Sequence, residues 1–486
     1  SLIVLILTVY LFKVMPKILL PDEDQGLIFG QSEGVQGISF ESMKEHQEAG
    51  AELVQREPGI ERFMSRAGGS GAMGGGGNSN GMFVIRMKPK AERENTAMQT
   101  VQSLRPKLSQ IPGYRVFLQV PSKIMVGRPS KGQYQYTLVG FDTDELYRFA
   151  ADAEREFASV PGLQDVSSDL LISNPQLNLD IDRDKISTLK ITAAQVEETL
   201  YSAFGPRQIS TIYAPDNQYK VLLELMPEYQ LDPDSLTMLY VRSGTNQLVP
   251  LSDIVKVTQE PGPTSINHTG QLLSVTISFN LRPGTALNQV MTQIEERLNP
   301  GMPGSVSASF QGTAKVFIDS FKGMQWLLII TIVIIYLILG ILYEDFFHPI
   351  TILTALPFAG FGALVILLIF NMPLSLYAYV GIIMLVGIVK KNGIMMIDFA
   401  ISARRNEGKS VEDAIVEACI IRFRPIMMTT VTTLVTGIPI AVGLGAGGEE
   451  RQPLGLAVVG GLVFSQMLTL YVTPVFYVWM EKLLKR

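Results

Sequence analysis

The stretch GIIMLVGIVKKNGIMMIDFAI, residues 381–401, decides the class of this protein. It has the length of a membrane-spanning helix, since about 20 residues cross roughly 30 Å of hydrocarbon. It nevertheless carries Lys390, Lys391 and Asp398 among apolar side chains. An ionisable group at a helix centre costs about 2.5–3.5 kcal/mol on insertion scales, so such groups usually face a partner or a water-filled path. The stretch therefore predicts a membrane helix with a functional polar site.

The two lysines differ in how easily they reach water. Snorkelling to an interface accounts for Lys390 better than for Lys391, because Asn392 and further apolar turns follow Lys391. Lys391 and Asp398 are seven residues apart and share a helix face, but they are roughly 10 Å apart along the axis, too far to pair directly. No other span offers a carboxylate near the membrane centre. We therefore expect the acidic partner of Lys391 to lie outside these residues.

Uncharged stretches of spanning length surround this helix. The intervals without Asp, Glu, Lys or Arg are 21 residues between Lys322 and Glu344, 44 between Asp345 and Lys390, 24 between Arg424 and Glu449, and 29 between Arg451 and Glu481. The 44-residue interval holds two spans, because Pro373 cannot continue the helix that precedes it. Five spans are therefore predicted within residues 325–481.

The segment LIVLILTVYLF near the start is also apolar, but it is too short to cross a bilayer. Lys13, Pro16 and Lys17 follow it as the exit of a membrane helix would. We expect residues 1–15 to be a truncated transmembrane helix.

The next span is expected to open with the residues 422–425, because Pro425 suits the first turn of a helix. Four threonines follow between residues 429 and 433. Their hydroxyls either bond to their own backbone or line a water path for protons, and the sequence leaves both alternatives open.

Composition and charge exclude several classes of protein. The chain is 47% hydrophobic and 17% charged with a net charge of −5, which excludes a simple soluble enzyme, a disordered protein and a nucleic-acid binder that relies on positive charge. The single cysteine, Cys419, excludes an internal disulfide, and the three histidines show no ligand spacing. No cofactor and no metal site are expected.

Basic residues in the short loops set the orientation. Eight lie in the segments 344–349, 401–424 and the tail after Glu481, against Arg451 alone on the other side. The large soluble region before residue 322 is therefore expected on the non-cytoplasmic side.

The soluble region shows two tandem strand–helix–strand patterns, typical of split βαβ subdomains in an α+β fold. The first covers residues 22–128, and the second is formed by residues 129–172 and 265–315. We expect an inserted domain, residues 175–262, to interrupt the second.

Two loops of the soluble region are singled out. GGSGAMGGGGNSNG, residues 68–81, lacks the order GxxxxGK[ST] and leads into no helix, so it predicts a connector that moves to gate a cavity rather than a nucleotide site. The turn at Pro215, Asp216 and Asn217 predicts a hairpin tip that docks a partner, with an ordinary solvent loop as the alternative.

The motifs resemble those of resistance-nodulation-division (RND) multidrug efflux pumps, specifically the C-terminal half of the inner-membrane subunit, over essentially the whole chain. They are GIVKKNGIMMIDFA (387–400), RFRPIMMTT (422–430), RQPLGLAVVGGL (451–462), LYVTPVFY (470–477) and GILYEDFFHPITILTALP (340–357). AFGPRQISTIYAPDNQYKV (203–221) is most similar to the pumps whose inner-membrane component can be a heterotrimer.

The resemblance implies a multi-pass protein of the bacterial inner membrane with a large periplasmic domain. It implies proton-driven export of drugs or amphiphilic compounds by drug/proton antiport, with no enzymatic activity. The implied partners are a periplasmic adaptor protein, an outer-membrane channel protein, the lipid bilayer and two further RND subunits in a homo- or heterotrimer. The split βαβ units would be porter subdomains, and residues 175–262 would be a docking domain.

The resemblance also implies roles for single residues. Lys391 matches a lysine that interacts with an aspartate pair of another span, and Arg422 and Thr429 match residues of the same proton relay. Asp398 stands where relatives carry an acidic residue. Relatives carry aromatic residues in the loop matching residues 68–81, whereas this chain has none there. The residues predicted to border the substrate pathway are Phe63, Gly68, Gly75, Gly81 and Val84.

The competing class is a membrane-anchored periplasmic receptor that senses a ligand. Such a receptor rarely needs five spans after its sensor or a lysine buried in one of them. An integral-membrane enzyme is disfavoured, because no nucleophile–base or metal constellation is visible. The sequence leaves open the substrate range, the kind of trimer and whether the missing half belongs to the same chain.

Overall fold

The computed structural model describes residues 2–21, 23–68, 77–121, 130–444 and 447–483. The described chain divides into two compact units, Leu171–Ile266 and the remainder, and each is described by itself.

A first antiparallel sheet follows a short apolar helix, α1 (Leu2–Val14). In chain order its elements are β1 (Leu27–Gly34), α2 (Phe40–Gln55), β2 (Ile60–Ala67), β3 (Asn80–Met87), α3 (Ala97–Leu108) and β4 (Tyr114–Gln119). The strand order is β2-β3-β1-β4. Apolar side chains of both helices, such as Met43 and Leu104, share one core with Phe83 and Ile85 of the sheet. This is the split βαβ arrangement that the alternation of strands and helices predicts.

The second sheet begins with β5 (Tyr134–Gly140), α4 (Thr143–Ser159) and β6 (Leu163–Ser168). Asp142 caps α4 by accepting hydrogen bonds from the backbone N–H groups of Asp144 and Glu145. The helix therefore begins where the sequence supplies an acceptor for its unpaired N–H groups.

The unit Leu171–Ile266 follows in the chain. Its elements are β7 (Asn174–Ile181), α5 (Arg183–Thr188), α6 (Ala193–Phe204), β8 (Arg207–Tyr213), β9 (Gln218–Leu223), β10 (Tyr240–Arg242), β11 (Leu248–Pro250), α7 (Leu251–Ile254) and β12 (Val255–Gly262). Strands β7 and β12 pair antiparallel, which brings the two ends of the unit together. Its core contains Ile186, Val196 and Ile254.

The second sheet is completed by β13 (His268–Thr269), β14 (Leu272–Leu281), α8 (Leu287–Leu298) and β15 (Val306–Gly312). Strand β14 pairs antiparallel with β5, and β15 pairs with the other edge of β5. Strands β6 and β13 pair with different parts of β14. The insertion therefore interrupts the chain between strands that share one partner.

The remaining elements are α9 (Thr313–Tyr343), α10 (Phe347–Leu353), α11 (Leu356–Ile369), α12 (Leu376–Glu407), α13 (Val411–Val442) and α14 (Gly448–Leu483). Counting α10 with α11, the described chain has 5 helices long and apolar enough to cross a membrane. Helix α1 is apolar and shorter.

The start of α13 differs from the prediction. The helix does not begin at residues 422–425 but at Val411, after Ser410, whose hydroxyl accepts a hydrogen bond from the backbone N–H of Asp413. Pro425 lies inside the helix. Charged residues mark the end of the segment that can lie in hydrocarbon, but a helix can continue through them in water. Counting charges therefore locates the membrane segment and does not locate the start of the helix.

The second sheet and the helical bundle share one apolar core. The rings of Phe317 and Phe321 in α9 pack tilted at a centroid distance of 4.6 Å, and Phe321 meets Tyr379 of α12 edge-on at 5.3 Å. Strand β15 ends at Gly312, and α9 begins at the next residue. Gly312 has φ 58°, a conformation that favours glycine.

A buried ion pair fixes the chain entering the first sheet. Asp24 accepts hydrogen bonds from Arg93 at 2.6 Å and from the backbone N–H of Ala97 at 3.1 Å. The Arg93 and Asp24 side chains are 3% and 8% exposed. Burial by itself raises the pKa of Asp24, but these hydrogen bonds and the charge of Arg93 lower it below the usual value.

We expect Asp24→Asn to lower the free energy of unfolding at pH 7 by about 3 kcal/mol, because it leaves a buried cation without its counter-charge. A carboxylate whose folded pKa is depressed stabilises above its unfolded pKa and loses this effect as the pH falls through the folded pKa. The difference between wild type and variant should therefore shrink on acidification. Denaturant unfolding of the purified protein at several pH values measures it.

Asp152→Asn is the control, because the Asp152 and Arg155 side chains are 63% and 78% exposed. It should change stability little at any pH. An equal effect of both variants would contradict the role assigned to Asp24.

Candidate functional site

Lys391 lies at the middle of α12. Its side chain is exposed on this chain and forms no ion pair or hydrogen bond with any residue that the structure describes. Asp398 is exposed on the same helix. That an acidic partner of Lys391 lies outside these residues stays a prediction. The unpaired ammonium group is consistent with it.

Arg422 lies against α12 from the neighbouring helix α13. Its guanidinium carbon is 5.2 Å from the ring centroid of Phe399, the residue after Asp398. Its Nε is buried and has no hydrogen-bond partner among the described residues. A buried donor without a partner is unusual, and it leaves Arg422 able to take an acceptor.

The threonines of α13 mostly bond to their own backbone. Thr429 donates to the carbonyl of Ile426 at 3.1 Å, and Thr432 and Thr433 donate to the carbonyls four residues earlier. Such back-bonding satisfies hydroxyls inside a membrane helix without a water path. The sequence left open whether these hydroxyls bond to their own backbone or line a water path. In the structure these three hydroxyls bond to the backbone.

Thr430 is the exception, and it belongs to a polar cluster that sequence reasoning missed. The amide oxygen of Gln466, in α14, accepts hydrogen bonds from Thr430 at 2.9 Å and from the amide of Asn392 at 2.9 Å. Asn392 also donates to the Thr430 hydroxyl at 3.2 Å. Asn392 directly follows Lys391 on α12. We call these three residues the amide cluster; it joins α12, α13 and α14 beside the unpaired lysine.

A signal for the amide cluster is present in the sequence. Gln466 is an amide inside an uncharged interval of spanning length, where a polar side chain is expected to bond to another helix. Its partners lie 36 and 74 residues away in the chain, so the sequence alone does not identify them.

The residues predicted to border the substrate pathway lie on or next to the β2–β3 hairpin. Phe63 is half-buried on β2, and Gly68 follows β2 with φ +66°. Gly81 and Val84 lie on β3, and Gly75 is outside the described residues. None of the four described residues lines the cavity between the two sheets or the cavity within the helical bundle, so their role stays a prediction.

Gly81 faces a buried polar cluster. The amide oxygen of Gln47 accepts hydrogen bonds from Ser32 at 2.6 Å and from Tyr114 at 2.7 Å, and its NH₂ donates to Ser65 at 2.9 Å. A Cβ at Gly81 would lie 2.4 Å from the Ser32 hydroxyl and 2.5 Å from the Gln47 amide oxygen. Only glycine fits beside this cluster.

A cavity of about 460 Å³ lies between the two sheets and beside the loop that joins α11 and α12. Arg105 of α3 lines it and donates hydrogen bonds to Asp165 at 2.6 Å and to Gln164 at 3.1 Å. Asn280 of β14 also donates to Asp165, at 3.0 Å. The contacts of Arg105 connect the helix packed on the first sheet to the second sheet at the wall of the cavity.

The predicted hairpin is formed by β8 and β9. Tyr213 pairs with Gln218, and the backbone N–H of Ala214 donates to the carbonyl of Asn217 at 2.9 Å. Asp216 and Asn217 are exposed at the tip, and Pro215 is part of the turn. Docking by this tip stays a prediction.

Comparison with known proteins decides the family. The model of the AcrB/AcrD/AcrF family matches residues 1–481. The chain belongs to this family. The RND family predicted from the motifs is thereby confirmed.

Curated relatives of this AcrB/AcrD/AcrF family member include multidrug resistance protein MdtC. The chain is 43% identical to that of Erwinia tasmaniensis over 482 residues, which is 99% of this chain and 46% of the relative. It is 42% identical to that of Enterobacter sp. over 479 residues, 98% of this chain and 46% of the relative. The chain thus spans about half the length of these proteins.

The fold of this AcrB/AcrD/AcrF family member has a close counterpart among solved structures. The crystal structure of a heavy metal efflux pump superposes with a TM-score of 0.88 at 23% identity, covering 99% of this chain and 50% of that chain. The predicted fold class, α+β with membrane helices and split βαβ units, is confirmed.

We expect Gly81→Ala to destabilise the first sheet unit by about 1–3 kcal/mol, because the new methyl group collides with the Ser32 and Gln47 side chains. Thermal unfolding of the purified protein measures the change. Gly304→Ala is the matched control, since a Cβ at Gly304 meets nothing within 4 Å. A Gly81→Ala protein as stable as the Gly304→Ala protein would contradict this packing.

Proposed function

We propose that this chain is part of a proton-driven pump of the bacterial inner membrane that exports drugs or other amphiphilic compounds from the periplasm. Membership of the AcrB/AcrD/AcrF family and the similarity to multidrug resistance protein MdtC support export. Residues upstream or in a second chain would supply the remaining half of such a pump.

One observation carries the antiport mechanism. Lys391 occupies the middle of a membrane helix without an ionic partner in the described residues. A lysine in hydrocarbon is stabilised by a carboxylate, so it interacts with one supplied by the missing half. Protonation of that carboxylate removes the attraction, and the release of Lys391 moves α12.

The amide cluster transmits this movement of α12 to α13 and α14. Asn392 moves with Lys391, and its hydrogen bonds to Thr430 and Gln466 draw α13 and α14 along. The first turn of α14 carries Glu449, which forms an ion pair with Lys90 and accepts a hydrogen bond from the backbone N–H of Asp24 at 3.4 Å. A shift of α14 therefore reaches the first sheet unit directly.

The soluble units then act as porter subdomains, residues 22–128 and residues 129–172 with 265–315. Movement of one against the other changes the cavity of about 460 Å³ between them, which Arg105 and Asp165 bridge. The segment 175–262 serves as a docking domain whose hairpin engages a neighbouring subunit of the trimer. A periplasmic adaptor and an outer-membrane channel complete the export path.

Replacing Lys391 by alanine in the intact pump should reduce export to the background of vesicles without the pump, because the carboxylate then has no charge to release. The measurement is efflux of a fluorescent dye from proteoliposomes under an imposed proton gradient. Lys390→Ala is the matched control and should retain export.

Normal export by the Lys391→Ala pump would overturn the relay assignment. If vesicles with the wild-type protein show no dye flux that depends on the proton gradient, the result would instead favour a ligand-sensing receptor.

Gln466→Leu should slow proton-driven export about three- to twentyfold, because an interhelical hydrogen bond in a membrane contributes about 0.6–1.7 kcal/mol. Gln466→Glu keeps the acceptor oxygens and should retain more activity than the leucine variant. The same vesicle assay, repeated over a range of pH, measures both. Export by Gln466→Leu that equals wild type at every pH would contradict the path through the amide cluster.

A further inference from the structure

A second cavity, of about 620 Å³, is bounded by α1, α9, α10, α11 and α12 within the helical bundle. Leu5, Ile332, Leu353 and Val386 are among the apolar side chains along it. We call it the bundle groove. None of the residues that line it is acidic. The groove therefore suits the hydrocarbon part of a ligand along most of its length.

One end of the bundle groove is polar and basic. Lys13 lies in the last turn of α1 and Lys17 follows that helix, on the way to the first sheet. Tyr379 lies in the first turn of α12, and Gln325 directly precedes the apolar part of α9. Lys13, Lys17 and Tyr379 thus lie at or just beyond the ends of α1 and α12. The groove thus has an apolar body and a cationic mouth at the level of the bilayer surface.

The lysines at the mouth lack counter-charges. Neither Lys13 nor Lys17 forms an ion pair with a residue that the structure describes. Lys17 is half-buried, and burial lowers its pKa because the ammonium group loses water. Its backbone is held in place, since Leu374 donates to the carbonyl of Pro16 at 2.8 Å and accepts from Ile18 at 3.3 Å. A positioned cation that has lost solvation favours an anionic ligand.

We propose that the bundle groove binds an acidic phospholipid of the surrounding bilayer, with an acyl chain along the apolar lining and the phosphate between Lys13 and Lys17. The bilayer supplies this ligand, and lysine ammonium groups bind phosphate oxygens through charge-assisted hydrogen bonds. A zwitterionic lipid carries its own cation, which repels the two lysines. The site is independent of proton coupling and of the exported compound.

The experiment measures lipid retention by the intact pump in nanodiscs of equal phosphatidylglycerol and phosphatidylcholine content. Native mass spectrometry after release into detergent then counts each bound lipid. Wild type should retain phosphatidylglycerol preferentially. The double variant Lys13→Gln/Lys17→Gln should lose this preference by about 30-fold, because each lysine near the surface contributes about a factor of five.

The matched control is Lys315→Gln/Lys322→Gln, which removes two exposed lysines of α9 that do not line the groove. It should retain phosphatidylglycerol as wild type does. Ile332→Trp fills the apolar part and leaves both lysines in place, so it should lose lipid of both kinds. This variant keeps the test decisive if the double variant fails to fold, and thermal unfolding of each variant identifies that case.

Two results would overturn the proposal. The first is unchanged phosphatidylglycerol retention in the double variant or in Ile332→Trp. The second is displacement of phosphatidylglycerol by a single-chain anionic amphiphile, such as a fatty acid, that the pump also exports, because the groove would then be a substrate site. Loss of export in Lys391→Ala tests the proton relay alone and does not change the lipid count.

Discussion

The helical bundle depends on the hydrogen bonds that Gln466 accepts. Hydrocarbon offers no water to a buried amide, so the side chains of Asn392, Thr430 and Gln466 satisfy one another across three helices. Small residues allow these helices to approach closely: a Cβ at Gly455 would lie 2.3 Å from the backbone nitrogen of Ala441. The rotation of α12 that these contacts fix also sets the direction of Lys391. The position of the lysine is thus a consequence of uncharged polar groups.

The spans could be predicted from the sequence, because apolar length is a local property that one stretch displays by itself. The end of a helix depends on different chemistry, as α13 illustrates. Charged residues before Arg424 stop the membrane segment, but Ser410 caps a helix that already includes them. The amide cluster could not be assembled, because its three members lie on separate helices and their meeting depends on helix rotation, which no single stretch encodes.

The soluble units were predictable for a similar reason. Alternating strands and capped helices, such as α4 after Asp142, indicate a split βαβ unit without reference to distant residues. The contact of Arg105 with Asp165 was not predictable, because it joins two units that each fold around their own core. Asp165 also has φ 55°, a left-handed conformation that is uncommon outside glycine, and its contacts to Arg105 and Asn280 help to maintain it.

At Gly312, β15 continues directly into α9, so the strand and the helix move together. With no connecting loop between them, there is no slack to absorb a tilt of the helix. A helix of 31 residues is about 46 Å long, so pivoting it by roughly 5° about its far end displaces its near end by about 4 Å. Strand β15 is the edge partner of β5, and a displacement of that size is close to the spacing of neighbouring strands. The second sheet must therefore turn as a whole with α9 or lose its edge strand. A tilt of α9 in the membrane is thus transmitted to the second sheet.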